Sequence, residues 1–491
     1  MKLKFKPINL EAGRPIAFLN YAFAEKFNIS EVSRIEVVSN GKKLIIPVNH
    51  IKKFLREDEI SFSDEAISYL GLKPGNYVKI SLALEPNSIR FIFKKLNNKE
   101  LTKYEIRSII NDVVNNALNE AEIAYFISGV YHNSMTEKET IYLTEAIAKT
   151  GKTIKWSEKI KNKIADKHSV GGIPGNRTTP IVVSICASAG IIMPKTSSRA
   201  ITSPAGTADV VETLADVSLS TQELVNVVKK TNACFVWGGA LGLAPADDKM
   251  IRVERLLNVD PEPQLIASIL AKKISVGSKY VLIDIPYGNG AKFSFEKAKK
   301  LKKKFIRIGK NFGLKIKVVL TNGEQPIGNG IGPVLEMLDI LRVLKRENSP
   351  LDLEKKSIFI ASKILEMMGK CKEGQGKNFA QEILNSKQAL KKFNEIIKAQ
   401  GKNNSKLELG KYEYVIRSNS SGKIKLVDNK SISLLARILG CPTNISSGIY
   451  MHKHKNEHVI KGEPILTLYS ESEKKLEEGI RFYYNAKPIK I

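Results

Sequence analysis

Apolar and polar positions alternate in short runs over residues 1–86, as in Lys2–Ile8 and Tyr77–Leu84, with turn signals such as Lys73-Pro74-Gly75-Asn76 between them. A period of two predicts strands with one buried face. One more run, Ile89–Phe93, follows Pro86-Asn87 and reads as a strand leading out of this module. The period then changes. Ile106, Ile109, Ile110, Val113, Val114 and Ala117 recur at helical spacing behind Thr102 to Glu105, which has the form of a capping box. A second box, Thr136 to Glu139, opens a helix that should stop at Gly151. From about residue 160 short apolar strands alternate with helices. Thr179-Pro180 reads as the cap and first turn of a helix running to Gly190, Ile191-Ile192-Met193 as a strand, and Lys279–Ile285 and Lys315–Leu320 as buried strands. Ala208–Ala215 reads as a helix, and so does Pro263–Lys273, which interrupts the alternation.

This pattern predicts an α/β multidomain chain. Its parts are a β-rich N-terminal module over 1–86 and a small α-helical lobe over 87–158, to which 245–275 returns. A large α/β domain follows from 159–244 and 276–402, and an α+β C-terminal module over 403–491 begins after the polar stretch near 400–406. No apolar run approaches the ~20 residues of a membrane span, and MKLKFKPINL lacks the apolar region of a signal peptide. A cytoplasmic protein is expected. Cys186, Cys234, Cys371 and Cys441 are far apart and form no CxxC pair, so they read as reduced thiols and not as a metal site.

The formal charge of +28, from 78 Lys+Arg against 50 Asp+Glu, raises the question of nucleic acid. The lysines are scattered along helix faces such as Lys297–Lys304 and Lys387–Lys398, and are not interleaved with aromatics. They read as a solvated surface, or as a field that draws in small phosphorylated substrates.

Two segments carry chemistry. Lys167-His168-Ser169-Val170-Gly171-Gly172-Ile173-Pro174-Gly175-Asn176-Arg177-Thr178-Thr179 sets glycines, a lysine and hydroxyls before a helix. Glycines admit an anion to the backbone N–H groups, the helix start adds unpaired donors, and the lysine adds a full charge. A plain tight turn would explain the glycines alone. Ser197-Ser198-Arg199-Ala200-Ile201-Thr202-Ser203-Pro204-Ala205-Gly206-Thr207-Ala208-Asp209 repeats the arrangement with an arginine. Hydroxyl-rich capping without a ligand is the alternative there. Two such loops at the ends of neighbouring α/β units would face one crevice at the carboxyl edge of the sheet.

These loops resemble those of the thymidine phosphorylase family, the type II nucleoside phosphorylases, which carry K-H-S-x-G-G-x-G-D and S-G-R followed by G-G-T-x-D. The likeness runs from about residue 100 to the C-terminus. It takes in the YHNSMTEKET segment, Asp247-Asp248-Lys249, Asp260, Ser268–Lys273, Gly288–Lys292 and Gly328–Gly332. Within the family it runs to the branch that acts on AMP, which has an extra N-terminal domain and reads G-G-x-P-G-N-R and S-S-R-A-I-T-S, as residues 171–177 and 197–203 do. The nucleoside branch lacks Pro174, has Asp at Asn176 and Gly at Ser198 and Ala205, and carries a base-binding arginine upstream of Asp260. Neither Arg252 nor Arg255 stands at that spacing here.

The resemblance implies phosphorolysis of the N-glycosidic bond: AMP and phosphate would give adenine and α-D-ribose 1,5-bisphosphate, with CMP and UMP as further substrates. Lys167, Ser169, Thr179, Ser197 and Thr207 would cradle phosphate. Gly172, Ser198, Arg199, Ala200, Ile201, Thr202, Ser203, Thr207, Ser268 and Lys292 would hold AMP. Asp260 would protonate the leaving base; read without the family it is a helix cap ahead of Pro261. The family implies no cofactor or metal, phosphate being a co-substrate, and a homo-oligomer. His452, His454 and His458 read as part of a solvated loop, and Asp247-Asp248 as a helix cap. The rival readings are a pyrimidine-nucleoside phosphorylase, a magnesium-dependent phosphoribosyltransferase and a basic nucleic-acid-binding protein.

Overall fold

The computed structural model describes residues 1–30, 33–200, 203–402 and 406–491; Ile201 and Thr202 lie outside them. The described chain forms two compact units. The first comprises Met1–Gly151 and Ala244–Ser268, and the second Lys152–Leu243 and Ile269–Ile491.

The first unit opens with strands β1 (Lys2–Phe5), β2 (Ala17–Asn20), β3 (Arg34–Ser39), β4 (Lys42–Ile51), β5 (Glu59–Phe62) and β6 (Tyr77–Leu82). They close into a barrel in the order β1-β5-β2-β4-β3-β6. Alternate residues point inward, so Ile35, Val37, Ile46, Val48, Val78 and Ile80 fill the interior. Helices Ser88–Leu96, Lys103–Val114, Glu120–Asn133 and Glu137–Thr150 follow. Both predicted capping boxes form: Thr102 and Thr136 accept from the N–H groups of Glu105 and Glu139, whose carboxylates return the bond. Gly151 caps the last helix.

The run Ile89–Phe93 is helical and not a strand. Ile89, Ile92 and Lys95 are buried at a spacing of three, and Lys95 pairs with buried Glu139 at 3.0 Å. A five-residue apolar run does not carry enough periodicity to separate the two states. Helix Pro245–Leu257 also belongs to this unit. Lys249 from it donates to the carbonyls of Val113 (3.1 Å) and Val114 (2.7 Å), closing the end of helix Lys103–Val114.

The second unit is built on parallel strands β7 (Ala165–Ser169), β8 (Met193–Ser197), β9 (Ala233–Trp237), β10 (Tyr280–Tyr287) and β11 (Lys315–Asn322). β10 lies between β7 and β11, β8 pairs with β9, and a bridge from Ile164 to Ile192 joins β7 to β8. The lateral order is therefore β11-β10-β7-β8-β9. From β7 the chain moves outward through β8 to β9, then returns to the other side of β7 for β10 and β11. Strand order reverses at β7, and a crevice at the carboxyl ends of such strands is where α/β sheets bind ligands. Ile181, Val183, Met193, Phe235, Leu282 and Ile360 pack the sheet against its helices.

Several boundaries differ from expectation, three of them at the loops that carry chemistry. The helix after the Gly-rich loop starts at Thr178, with Arg177 in the cap position and no side-chain cap, so Thr179 and Pro180 lie inside the first turn. Proline is tolerated there because the first-turn N–H groups have no intrahelical acceptor. The strand read at Ile191–Met193 begins at Met193 and runs on to Ser197. The helix read at Ala208–Ala215 spans Thr207–Glu212.

The end of this unit carries a four-stranded sheet of Gly330–Ile331, Gly448–Met451, Pro464–Ser470 and Tyr412–Arg417 in that order, covered by helices Asn429–Leu439 and Glu473–Ala486. No helix among the described residues is long and apolar enough to cross a membrane.

Candidate active site

Register places the chemistry of the second unit at one edge of its sheet. Asp284 of β10 stands opposite Ser169 of β7, and Ser197 of β8 opposite Trp237 of β9. Counting five residues on from the Ile164–Ile192 bridge sets Ser169 level with Ser197. The Gly-rich and Ser-Ser-Arg loops thus leave adjacent parallel strands at the same end.

Lys167 is 1% exposed and donates to the Thr178 and Thr179 hydroxyls at 2.8 and 3.1 Å. It thereby ties the end of β7 to the first turn of the next helix. Burial pushes its pKa down to about 7; Asp284 opposes the fall, and Lys356, Lys195 and Arg177 add to it. Beside it the buried Asp284 accepts from Ser169 Oγ (2.8 Å) and Thr321 Oγ1 (2.6 Å), with Lys356 Nζ at 3.3 Å. Burial alone would raise the Asp284 pKa, but Lys356, Lys167 and the two hydroxyls outweigh it and hold the carboxyl below its ordinary value. Below the site Asp166 pairs with Lys273 (2.6 Å) and Lys195 (3.3 Å), fixing the strand ends.

The Gly-rich loop has little freedom. Gly175 has φ +68°, and a Cβ there would fall 2.2 Å from the Ile327 carbonyl. Arg177 is buried against Glu336 and donates to the Ala205 carbonyl, which couples this loop to the Ser-Ser-Arg loop. Ser197 Oγ is buried without a protein hydrogen-bond partner. Lys292 is brought beside the Gly-rich loop, its Cβ within 3.6 Å of where a Cβ on Gly171 would stand. Gly172 and Ser198 are exposed, and Thr207 opens its helix half-buried.

Arg199 is engaged by protein. Its guanidinium pairs with Glu212 and Asp209 and lies 4.8 Å over the Trp237 ring. Asp209 also accepts from the N–H groups of Ala200 and Gly206, both at 2.7 Å, and so pins the loop at both ends. A Cβ on Gly206 would come within 2.4 Å of the Ser198 carbonyl. Ser203 Oγ is turned inward onto the Ala205 carbonyl at 2.6 Å.

In the first unit, Ser268 donates to the buried Asp247 at 2.8 Å. Asp247 and Asp248 occupy the first turn of Pro245–Leu257, where negative charge meets the helix dipole. Asp260 is exposed in the connection between that helix and Glu262–Val276. The next helix starts at Glu262, so Asp260 lies one residue ahead of the cap position. The histidines are held separately: His452 bonds Thr467 (2.7 Å), His454 bonds Asn329 (2.9 Å) and His458 is exposed. Among the described residues no group of three or more His, Cys, Asp or Glu could hold a metal ion.

The site brings in residues that sequence reasoning passed over. Asp284, Lys356, Thr178, Thr321 and Glu336 were given no role. Thr178 stood only among the hydroxyls of the Gly-rich segment, and Asp284 left a trace as the one charge in the apolar run Val281–Ile285.

Comparison with known proteins gives the family. The glycosyl transferase family helical bundle domain matches residues 89–151 and the glycosyl transferase family a/b domain residues 161–384. The pyrimidine nucleoside phosphorylase C-terminal domain matches 423–490. An AMP phosphorylase of Pyrococcus furiosus is 41% identical over all of this chain and 98% of its own length. The chain belongs to the AMP phosphorylase family. An AMP phosphorylase of Pyrococcus horikoshii (43%, covering 100% and 98%) and one of Methanococcus aeolicus (40%, covering 100% and 97%) agree. The fold is also that of anthranilate phosphoribosyltransferase from Thermus thermophilus, with TM-score 0.52 at 15% identity over 63% of this chain and 98% of that one.

Proposed function

We propose that this chain cleaves AMP with inorganic phosphate, giving adenine and α-D-ribose 1,5-bisphosphate, and that it takes CMP and UMP as further substrates. The observation that carries the reading is Lys167, buried at the strand-order reversal and fastened to two hydroxyls of a helix start, in a chain of the AMP phosphorylase family. Lys167, Ser169, Thr179, Ser197 and Thr207 are the proposed phosphate cradle. Ser197 supports it with a buried hydroxyl that no protein atom satisfies. Gly172, the Ser198–Ser203 segment, Thr207, Ser268 and Lys292 are proposed to hold AMP. Arg199, given its pairs with Glu212 and Asp209, would act by shaping that loop.

Adenine is a poor leaving group as an anion, so an acid that protonates a ring nitrogen as the bond breaks lowers the barrier. Asp260 is proposed for that step. The oxocarbenium-like ribose then meets a phosphate oxygen already held in line. The reaction needs no cofactor or metal. The same reading takes the chain as a cytoplasmic homo-oligomer with four modules at 1–86, 87–158 plus 245–275, 159–244 plus 276–402, and 403–491, and without a nucleic-acid or membrane partner.

The test is phosphate-dependent release of free base from AMP, CMP, UMP, adenosine and thymidine side by side, with and without EDTA. AMP should be cleaved only with phosphate and regardless of EDTA. Thymidine or adenosine cleaved as well as AMP would move the chain to the nucleoside phosphorylases. A need for diphosphate and magnesium would make it a phosphoribosyltransferase.

A further inference from the structure

Asn429, the first residue of helix Asn429–Leu439, has no part in the reaction as proposed, yet it is buried against two loops of the parallel sheet. Its amide donates to the Gly290 carbonyl at 3.1 Å and to the Gly323 carbonyl at 2.9 Å. Gly290 lies in the loop after β10 that leads to Lys292, and Gly323 in the loop after β11. Carbonyls only accept, so the amide nitrogen must face both, and both its hydrogens are used. The Asn429 oxygen is buried without a protein hydrogen-bond partner. An amide left half-satisfied is a poor source of stability. What it supplies is position, because the two loops it joins meet the Gly-rich segment. A Cβ on Gly323 would stand 3.2 Å from both Ala291 Cβ and Ile173 Cδ1, and one on Gly171 3.6 Å from Lys292 Cβ. Further along the same helix Arg437 reaches the Ser203 carbonyl at 3.4 Å. One helix of the C-terminal domain thus touches both loops of this unit that are proposed to hold AMP.

We propose that Asn429 is a positioning residue of the AMP site: its two hydrogen bonds hold the Gly288–Lys292 loop against the loop after β11 and so set Lys292 beside the Gly-rich loop. This rests on the reading of Lys292 as a group that holds AMP. The loop's own hydrogen bonds, from the Gly288 N–H to the Phe293 carbonyl and from the Ala291 N–H to the Gly288 carbonyl, both 3.1 Å, close the turn but do not place it. Placement comes from outside. Glu324 accepts from the Asn289 N–H and is itself paired with Lys455 at 2.7 Å, a half-buried contact near the surface. Asn429 is the buried hold, and it grips both loops at once.

The experiment measures KM for AMP and for phosphate in the parent, in Asn429→Asp, in Asn429→Ala, in Lys292→Met and in Lys292→Met combined with each Asn429 substitution. Asn429→Asp keeps shape and replaces both donors by acceptors, whereas Asn429→Ala removes them. Each should raise KM for AMP about tenfold, as loss of one net hydrogen bond would, and leave KM for phosphate within about twofold. Lys292→Met should raise KM for AMP as well. In that background the Asn429 substitutions should add less than about twofold, because the group they displace has already lost its charge. A KM for AMP within about twofold of the parent in both Asn429 variants overturns the proposal. Equal rises in both KM values, or about a further tenfold on top of Lys292→Met, also overturn it, since they mark a contact that serves the scaffold and not Lys292. Should Asn429→Asp fail to fold, Asn429→Ala decides alone by the same criteria. Lys292→Met with the parent's KM for AMP would instead overturn the reading of Lys292 beneath the proposal, and the proposal with it.

Discussion

Lys167 spends two of its three ammonium hydrogens on Thr178 and Thr179, which leaves one for a ligand and leaves both hydroxyl hydrogens to donate elsewhere. Charge-assisted hydrogen bonds contribute about 1.5–3 kcal/mol each. Lys167→Met should therefore raise KM for phosphate by roughly 10- to 100-fold and leave KM for AMP near the parent value; equal rises in both would place Lys167 in the scaffold. Asp260 is different in kind, being exposed in the connection ahead of helix Glu262–Val276. Asp260→Asn keeps shape but has no carboxyl proton, so kcat should fall by ~10² to 10⁴; a loss of only a few-fold would remove it from proton transfer. The parts of the site legible from the sequence are those contiguous along the chain, such as Lys167 to Thr179, where residue type and a following helix start stand together. Asp284 and Lys356 were not legible for a physical reason. Each meets the site through strand register and helix packing, and a lone Asp in an apolar strand, or one of two adjacent lysines in a helix, carries no mark of what it will face.

The Ser-Ser-Arg loop is an element held from outside itself. Asp209, one turn into the next helix, accepts from Ala200 and Gly206, while Glu212 and Trp237 hold Arg199. If Arg199 acts through loop shape, Glu212→Gln should reproduce most of the rise in KM for AMP that Arg199→Ala causes. If Arg199 binds the 5′-phosphate directly, Glu212→Gln should leave that KM unchanged or lower it, because it frees the guanidinium. Steady-state kinetics of the two variants distinguishes these outcomes, and the first is expected from the geometry. The same distinction explains which elements could be read in advance. The helices opened by Thr102 and Thr136 carry their whole signal locally, in a hydroxyl and a glutamate three residues apart, and both caps form as expected. Ile89–Phe93 was decided by a partner far along the chain: helix Ser88–Leu96 buries Lys95, and Glu139, which satisfies it, is forty-four residues away. The start at Thr178 has a similar cause, since Arg177 is committed to Glu336, 159 residues on.

At the scale of the whole molecule the feature to explain is a charge of +28 carried by a chain whose proposed substrates are both anions. The lysines of helix Phe295–Asn311 show its local form: Lys297, Lys299, Lys300, Lys302, Lys303, Lys304 and Lys310 share the helix with one acidic residue, Glu296. Like charges at these spacings cost a few tenths of a kcal/mol per pair. Together they also sustain a positive potential that raises the local concentration of small anions. That potential acts on AMP, which is a dianion near neutral pH, and not on adenosine. Raising salt from about 0.1 M to about 1 M shortens the screening length from about 10 Å to about 3 Å. With phosphate kept saturating, kcat/KM for AMP should therefore fall several-fold over that range, while kcat/KM for adenosine, lower at the outset, stays nearly flat. The difference between the two slopes isolates the long-range field, because salt effects on folding or on the ribose and base contacts are common to both substrates. Parallel slopes would mean that the excess of lysine serves solubility alone and that nucleotide preference resides in short-range contacts. If AMP is cleaved no better than adenosine at low salt, neither the field nor the Ser198–Ser203 loop recognises a 5′-phosphate, and the nucleotide assignment falls with them.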